Sequence, residues 1–381
     1  MDKSNNIDRS SNTGDNISSN PVNDWLNHNA ANIFLLPSVI IILILSVFPL
    51  IISAYLSLSR FKFVRGGFDI TFVGLKNFKK LITGSEKRHF RGSLGDLSIA
   101  QWAIVALVTV FFIYILWSYL KSKNFKIAGL IYRIITFSIF SWGTYFIMQN
   151  LSINGRPGTI VVTLVYVFVG LFFQYFIGLG LALLTTQNLV GKRIFRVIFL
   201  LPMMITPVGV GYTFRMMTDT SKGPFEPLWK AFGLSDFSWV TSAWGARWAV
   251  IITDTWQWTP FIFIILLAAI EGLPNELFEA ARVDGASRLQ ILWNITLPQI
   301  IPVSTTVILI RMIEAFKIVD LPNILTFGGP GTATESLTLH SFFAWRALDV
   351  GQSASVAYML MFISLFIGIS YTNLIYQRFV N

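Results

Sequence analysis

Cysteine is missing from the chain altogether, which excludes disulfides, thiolate nucleophiles and cysteine metal sites. Histidine is nearly missing. The three present, His28, His89 and His340, fall in the amino-terminal tail and in loops, and no H-E-x-x-H, G-x-S-x-G or carboxylate–histidine grouping is legible along the chain. No phosphate-binding G-x-x-x-x-G-K-[ST] sequence occurs either, since Gly191-Lys192-Arg193 lacks both the leading glycine spacing and the hydroxyl. The expectation is therefore a chain with no catalytic residue, no metal and no cofactor of its own. Charge is also scarce, at 13% of residues. What fills the space is apolar: 54% of the chain is hydrophobic, with 34 Phe and 12 Trp. A soluble domain could not bury that much apolar surface, so the composition describes a polytopic membrane protein. The net charge of +10 sits mostly in loops beside apolar stretches, so membrane topology explains it and a nucleic-acid partner is not expected.

Residues 1–32 are polar and rich in Asn and Ser, and read as a disordered cytoplasmic tail. They lack the apolar core and cleavage site of a signal peptide, so the first span is expected to be an uncleaved anchor. Crossing a ~30 Å hydrocarbon layer takes about 20 apolar helical residues. Eight stretches qualify, at about 33–57, 100–120, 128–149, 159–184, 194–216, 246–270, 300–319 and 353–376. An all-α transmembrane helical bundle of about eight spans follows, with both termini in the cytoplasm. Lys121, Lys123, Lys126, Lys192, Arg193, Arg282, Arg288 and Arg378 then fall on the cytoplasmic side, as positive charge should. One segment opposes this topology. Residues 58–99 carry Arg60, Lys62, Arg65, Lys76, Lys79, Lys80, Lys87, Arg88 and Arg91, yet lie outside.

The segment 275–298, NELFEAARVDGASRLQILWNITLP, separates two apolar stretches and reads as a cytoplasmic helix–turn–helix. Asn275 is a candidate N-cap, Glu276 and Glu279 suit the positive end of the first helix dipole, Gly285 supplies a left-handed turn, Ser287 can cap the second helix, and Pro298 lets that helix stop. Glu279-Ala280-Ala281, Asp284-Gly285, and Ile295, Leu297 and Pro298 in this spacing resemble the signature (EAA) loop of permease subunits of binding-protein-dependent ABC importers, in particular the carbohydrate-uptake, maltose/glycerol-phosphate permease-like family. Val73 to Phe78, Leu181 to Leu184, Phe195-Arg196 to Leu201-Pro202, Trp256 to Phe261, and Leu325 to Gly331 with Thr334-Glu335 extend the resemblance. It covers about 50–85 and 159–376. The resemblance implies an inner-membrane permease whose loop docks on a separate ATPase dimer that binds ATP and magnesium. It also implies a second homologous permease and a solute-binding protein, periplasmic or lipid-anchored, facing the Gly328-Gly329-Pro330-Gly331 turn. Residues 92–155 do not fit the six-span pattern. The expected organisation is a tail (1–32), a first span with outer loop (33–99), an inserted two-helix hairpin (100–155) and a permease core (156–381).

Charges within spans normally face an interior or a water-filled path. Asp254 falls in the sixth span, and Arg311, Glu314 and Lys317 in the seventh; Arg311 and Glu314, three apart, can pair on one face. Asp254, Trp256, Gln257 and Trp258 are candidates for a carbohydrate path, because sugars offer hydroxyls to polar groups and flat C–H faces to rings. Trp256 and Trp258 are two apart, so one cavity takes at most one of them. Tyr212 and Arg215 are weaker candidates of the same kind. The function expected is import of a carbohydrate or polyol, with a non-sugar solute such as glycerol phosphate as the alternative importer reading, and a secondary transporter as a further rival that finds no inverted repeat in its favour.

Overall fold

The computed structural model of the chain describes residues 34–121, 127–187, 191–233 and 238–376. The polar tail with His28, and Lys123, Lys126 and Arg378, lie outside the described residues. Two compact units are present, residues 1–55 and 56–381. In the first, helix α1 (Phe34–Ser57) begins; its apolar side chains from Phe34 to Leu50 are exposed, as a helix bathed in lipid requires.

The second unit opens with a β-ribbon, β1 (Ser59–Val64) and β2 (Gly67–Phe72), paired antiparallel with Arg60 opposite Thr71 and Lys62 opposite Asp69. Short helices α2 (Lys76–Ile82) and α3 (Lys87–Arg91) follow. The two-residue strands β3 (Gly92–Ser93) and β4 (Arg156–Pro157) then pair across the base of a long hairpin formed by α4 (Ile99–Leu120) and α5 (Ile127–Asn150). Ser98 starts α4 with a capping box to Gln101. The hairpin's inner aromatic stripe packs Phe112 on Phe137 at 4.8 Å, and Phe140 on Phe366 at 5.7 Å.

The core is built on α6 (Thr159–Thr185) and α10 (Ala243–Glu271), which run along one another; between them come α7 (Lys192–Met204), α8 (Pro207–Met217) and the short α9 (Glu226–Ala231). Ile262, Phe263 and Leu266 of α10 are fully buried with Val167 of α6, and with Ile300 and Val307 of α12 (Arg288–Ala315). After α10 come α11 (Asn275–Val283) and α12, then α13 (Asp320–Thr326), α14 (Leu337–Arg346) and α15 (Val350–Ile375).

Three expectations are corrected. The stretch 194–216 is not one straight helix: α7 and α8 meet at a bend of 98°. Pro207 cannot donate a helical hydrogen bond, and Thr206 restarts the helix as N-cap by accepting the Gly209 N–H. Seven helices among the described residues are long and apolar enough to cross a membrane, or eight if the bent pair counts as one. The second arm of the 275–298 segment does not stop at Pro298. It passes through a π-turn at Leu292–Thr296 and continues as α12. A π-turn relieves the clash that a proline ring otherwise makes with the preceding turn. Asn275, finally, is the first helical residue, and the N-cap position belongs to Pro274 without a side-chain cap.

Candidate functional site

Gln174 of α6, Asp254 of α10 and Arg311 of α12 meet in the interior, all at most 5% exposed. Arg311 donates through Nη2 to Asp254 Oδ2 at 2.7 Å and through Nε to Gln174 Oε1 at 2.9 Å. Gln174 closes the triangle by donating to Asp254 Oδ2 at 2.8 Å. A buried guanidinium is tolerated in such a place only with its charge compensated and its N–H groups satisfied. The Arg311 guanidinium also lies over the Trp258 ring, 4.9 Å from its centroid.

Beside this triangle is a cavity of about 190 Å³ lined by Asp254, Gln257, Trp258, Arg311, Glu314 and Lys317. Gln257 donates its amide N–H to Ile205 O at 3.2 Å, which meets the carbonyl exposed at the α7–α8 break. Its other amide atom, Oε1, is buried without a partner. Of the residues considered for the path, the cavity collects Asp254, Gln257, Trp258, Arg311 and Glu314. Trp256 points elsewhere, against Phe214 at 5.3 Å, and Tyr212 is exposed on α8. Arg215 is engaged with Ile324 O at 3.0 Å. The expected Arg311–Glu314 pair does not form: Arg311 turns to Asp254, and Glu314 pairs with Lys317 at 2.8 Å. The inward partner wins because a buried guanidinium gains most from a carboxylate that is equally removed from water. Gln174 was not foreseen, though a lone glutamine within the run GLFFQYF is the kind of polar intrusion that marks a working position in a span.

The second site is the α11–α12 turn. Gly285 has φ +76°, its N–H reaches Arg282 O at 3.1 Å, and Ala286 N–H reaches Ala281 O at 2.9 Å, together a Schellman motif. Ser287 then caps the next helix, accepting Gln290 N–H at 3.4 Å while its own N–H donates to Gln290 Oε1 at 2.7 Å. Glu279, Ala280, Asp284, Gly285 and Pro298 are exposed, Ile295 and Leu297 are half-buried, and Ala281 turns inward. The small size of Ala281 therefore serves packing within the chain. Under the turn is an open cleft of about 1200 Å³ between these helices and the ends of α6 and α10, with Glu271, Glu279, Arg282 and Arg288 on its walls.

At the other side of the core the 326–336 loop is tied down: Tyr166 OH donates to Thr334 O at 3.1 Å, Arg247 Nε to Ala333 O at 2.7 Å, and Leu337 N–H to Thr163 Oγ1 at 2.8 Å. Here two histidines that looked scattered in the sequence come together. His89 and His340 stack at 4.2 Å, with Glu335 Oε2 at 2.9 Å from His89 Nε2 and Glu86 Oε2 at 3.5 Å from His89 Nδ1. A carboxylate–histidine cluster is thus present after all, assembled from α3, the 326–336 loop and α14, and Glu86, His89 and His340 bring ligand-type atoms within 4.8 Å of one another. Lys80 donates to Gln352 Oε1, so the Gln352 amide donates to His340 Nε2 at 3.3 Å and leaves the His340 proton on Nδ1, facing Glu335. Burial, with the charges of His89 and Lys80, pushes His340 down to about 3. Burial alone would lower His89 too, but the hydrogen bond and charge of Glu335, with Glu86 behind it, outweigh that and raise it above its ordinary value.

Comparison with known proteins gives a consistent picture. The model of the family "binding-protein-dependent transport system inner membrane component" matches residues 174–380. The trehalose/maltose transport system permease protein MalF of Thermococcus litoralis is 32% identical over 210 residues, covering 55% of this chain and 71% of its own. The trehalose transport system permease protein SugA of Mycobacterium tuberculosis is 29% identical over 201 residues, covering 53% of this chain and 64% of its own. Among solved structures, a bacterial ABC transporter involved in import of the acidic polysaccharide alginate shares the fold, with a TM-score of 0.62 over 95% of this chain and 100% of that one at 17% identity.

Proposed function

The chain belongs to the family of binding-protein-dependent transport system inner membrane components, and on that premise we propose that it carries a neutral carbohydrate or polyol through an ATP-driven importer. The observation that carries the substrate class is the excess of carboxylates in the cavity lining, where Asp254, Glu314 and Asp320 face Arg311 and Lys317. Arg311 is held by Asp254, and Lys317 by Glu314. Both lining cations have a carboxylate partner and Asp320 adds a further negative charge, which weighs against an anionic solute such as glycerol phosphate. Trp258 and Gln257 line the cavity with an aromatic ring and an amide, the pairing of apolar face and polar group that a sugar takes. The trehalose and maltose relatives support the same class.

The wider assembly is part of this reading. ATP and magnesium bind a separate ATPase dimer, whose clefts take the exposed face of α11 and its turn, Glu279 to Gly285. This chain, lacking a phosphate-binding loop, hydrolyses nothing itself. A second homologous permease completes the path, and a solute-binding protein delivers the sugar at the 326–336 loop. Both termini are cytoplasmic, and the α4–α5 hairpin is an insertion outside the permease core. Closure of the ATPase dimer favours one arrangement of the spans because the turn binds its two states with different free energies.

The test is purification from native membranes, followed by reconstitution of whatever accompanies the chain. ATP-dependent uptake of labelled neutral oligosaccharide, competed by neutral sugars and not by sugar phosphates, is the expected result. Competition by sugar phosphates alone overturns the substrate class, and uptake indifferent to ATP overturns the importer.

A further inference from the structure

The β1–β2 ribbon is amphipathic by register. Ser59 opposite Phe72, and Phe61 opposite Ile70, place Phe61, Phe68, Ile70 and Phe72 on one face, with Phe61 and Phe68 stacked at 5.4 Å. Arg60 opposite Thr71, and Lys62 opposite Asp69, make the other face polar and basic up to Val64 at its tip, and Arg65 sits in the two-residue turn. Phe68 and Phe72 are 64% and 65% exposed. A two-stranded ribbon with an apolar face is marginal in water and needs a surface to lie on.

Its root identifies that surface. The chain leaves α1 at Ser57 and enters β1 at Ser59. Asn77 Nδ2 donates to both Ser57 O and Ser59 O at 2.9 Å, and Ser355 Oγ, one and a half turns into α15, donates to Ser57 O at 3.0 Å. At Gly351, in the first turn of α15, an added Cβ would fall 2.3 Å from Ser59 O. The ribbon thus starts beside the first turns of α15, where that span reaches the bilayer surface.

We propose that the ribbon is an interfacial anchor, its phenylalanine face bedded in lipid beside the start of α15, and Arg60, Lys62 and Arg65 bound to the phosphates of anionic phospholipid. Apolar side chains at the acyl boundary beneath basic side chains at headgroup level are the arrangement that holds amphipathic elements in the membrane plane. The placement also accounts for three of the nine basic residues of 58–99, Arg60, Lys62 and Arg65. These ribbon charges face lipid phosphates and need not report which side of the membrane the segment occupies.

The native chain has no cysteine, so nitroxide labels can be placed one at a time, on Phe68→Cys or Phe72→Cys for the apolar face and Thr71→Cys for the polar face. The transporter, with the subunits that accompany it, is reconstituted in phosphatidylcholine vesicles with or without phosphatidylglycerol, and label collisions with oxygen and with a water-soluble nickel complex are compared. Oxygen collisions dominating at 68 and 72 and nickel collisions at 71, with depth increased by phosphatidylglycerol, is the expected pattern. Arg60→Gln or Lys62→Gln should each weaken the phosphatidylglycerol effect by roughly fivefold. Equal nickel access at all three sites overturns the anchor. Labels at 68 and 72 reached by neither reagent overturn it in favour of a protein partner, and depth indifferent to phosphatidylglycerol overturns the phosphate contacts.

Discussion

Gln257 of α10 hydrogen-bonds Ile205 O, at the corner where α7 turns through 98° into α8. One side chain thus braces a break in a membrane-embedded helix and lines the cavity beside it. Gln257→Leu removes the brace and the polar lining. Transport should fall by about tenfold, the effect of losing roughly one hydrogen bond to substrate and leaving a carbonyl unsatisfied. Uptake kinetics of the reconstituted variant measure it, and unchanged uptake removes Gln257 from the path.

The Gln174–Asp254–Arg311 triangle predicts a strong asymmetry between single and double changes. Arg311→Met strands the Asp254 carboxylate and should cost about 3–5 kcal/mol, whereas Arg311→Met with Asp254→Asn should recover most of that loss. Thermal unfolding in detergent for the two singles and the double gives the coupling; additive costs would mean the pair is not a unit.

At the α11–α12 turn the demand on Gly285 is purely conformational, since an added Cβ would meet nothing within 4 Å while φ is +76°. Gly285→Val should strain the turn by about 1–2 kcal/mol, and Gly285→Pro, with φ fixed near −65°, should break it. Glu279→Lys reverses a charge on the exposed face. All three should insert normally in membranes yet lose the co-purifying ATPase. Retention of the ATPase by all three would remove this turn from the coupling.

The His89–Glu335 contact makes the segment around α3 sensitive to pH in a definite direction. The raised His89 value means its contribution is fully present below 6.5, the ordinary value, and is lost as pH rises through the raised value. Hydrogen exchange at residues 84–92, corrected for intrinsic rates, should therefore be slower at about pH 6 than at about pH 9. His89→Gln should abolish the difference; a difference of the opposite sign would place the charge elsewhere.

The parts legible in the sequence were those with local causes. Span positions follow from apolar length, and Gly285 and Ser287 announced the turn because left-handed backbone and helix caps depend on single residues. The sharp bend at Thr206-Pro207 was hidden within an apolar run long enough to cross the membrane straight. The pairing of Arg311 was misread because spacing along one helix offers Glu314, and only packing against α6 and α10 brings Asp254 and Gln174 closer. The His89–His340 stack was invisible for the same reason: 251 positions separate residues that α3 and α14 bring to 4.2 Å.

The continuity of α12 joins the two sites mechanically. Arg288 at the turn and Arg311 at the triangle belong to one helix, about 35 Å apart along its axis at ~1.5 Å per residue. Its irregular points, the π-turn at Leu292–Thr296 and the prolines at 298 and 302, are gathered toward the turn, and the stretch that carries Arg311 is regular helix. The helix is a lever with its compliance near the handle and its stiff arm under the load. On the proposed coupling, a push at the turn would reach Arg311 as rotation or sliding of a rod, and keeping or releasing the Asp254 contact would fall to a single rigid piece.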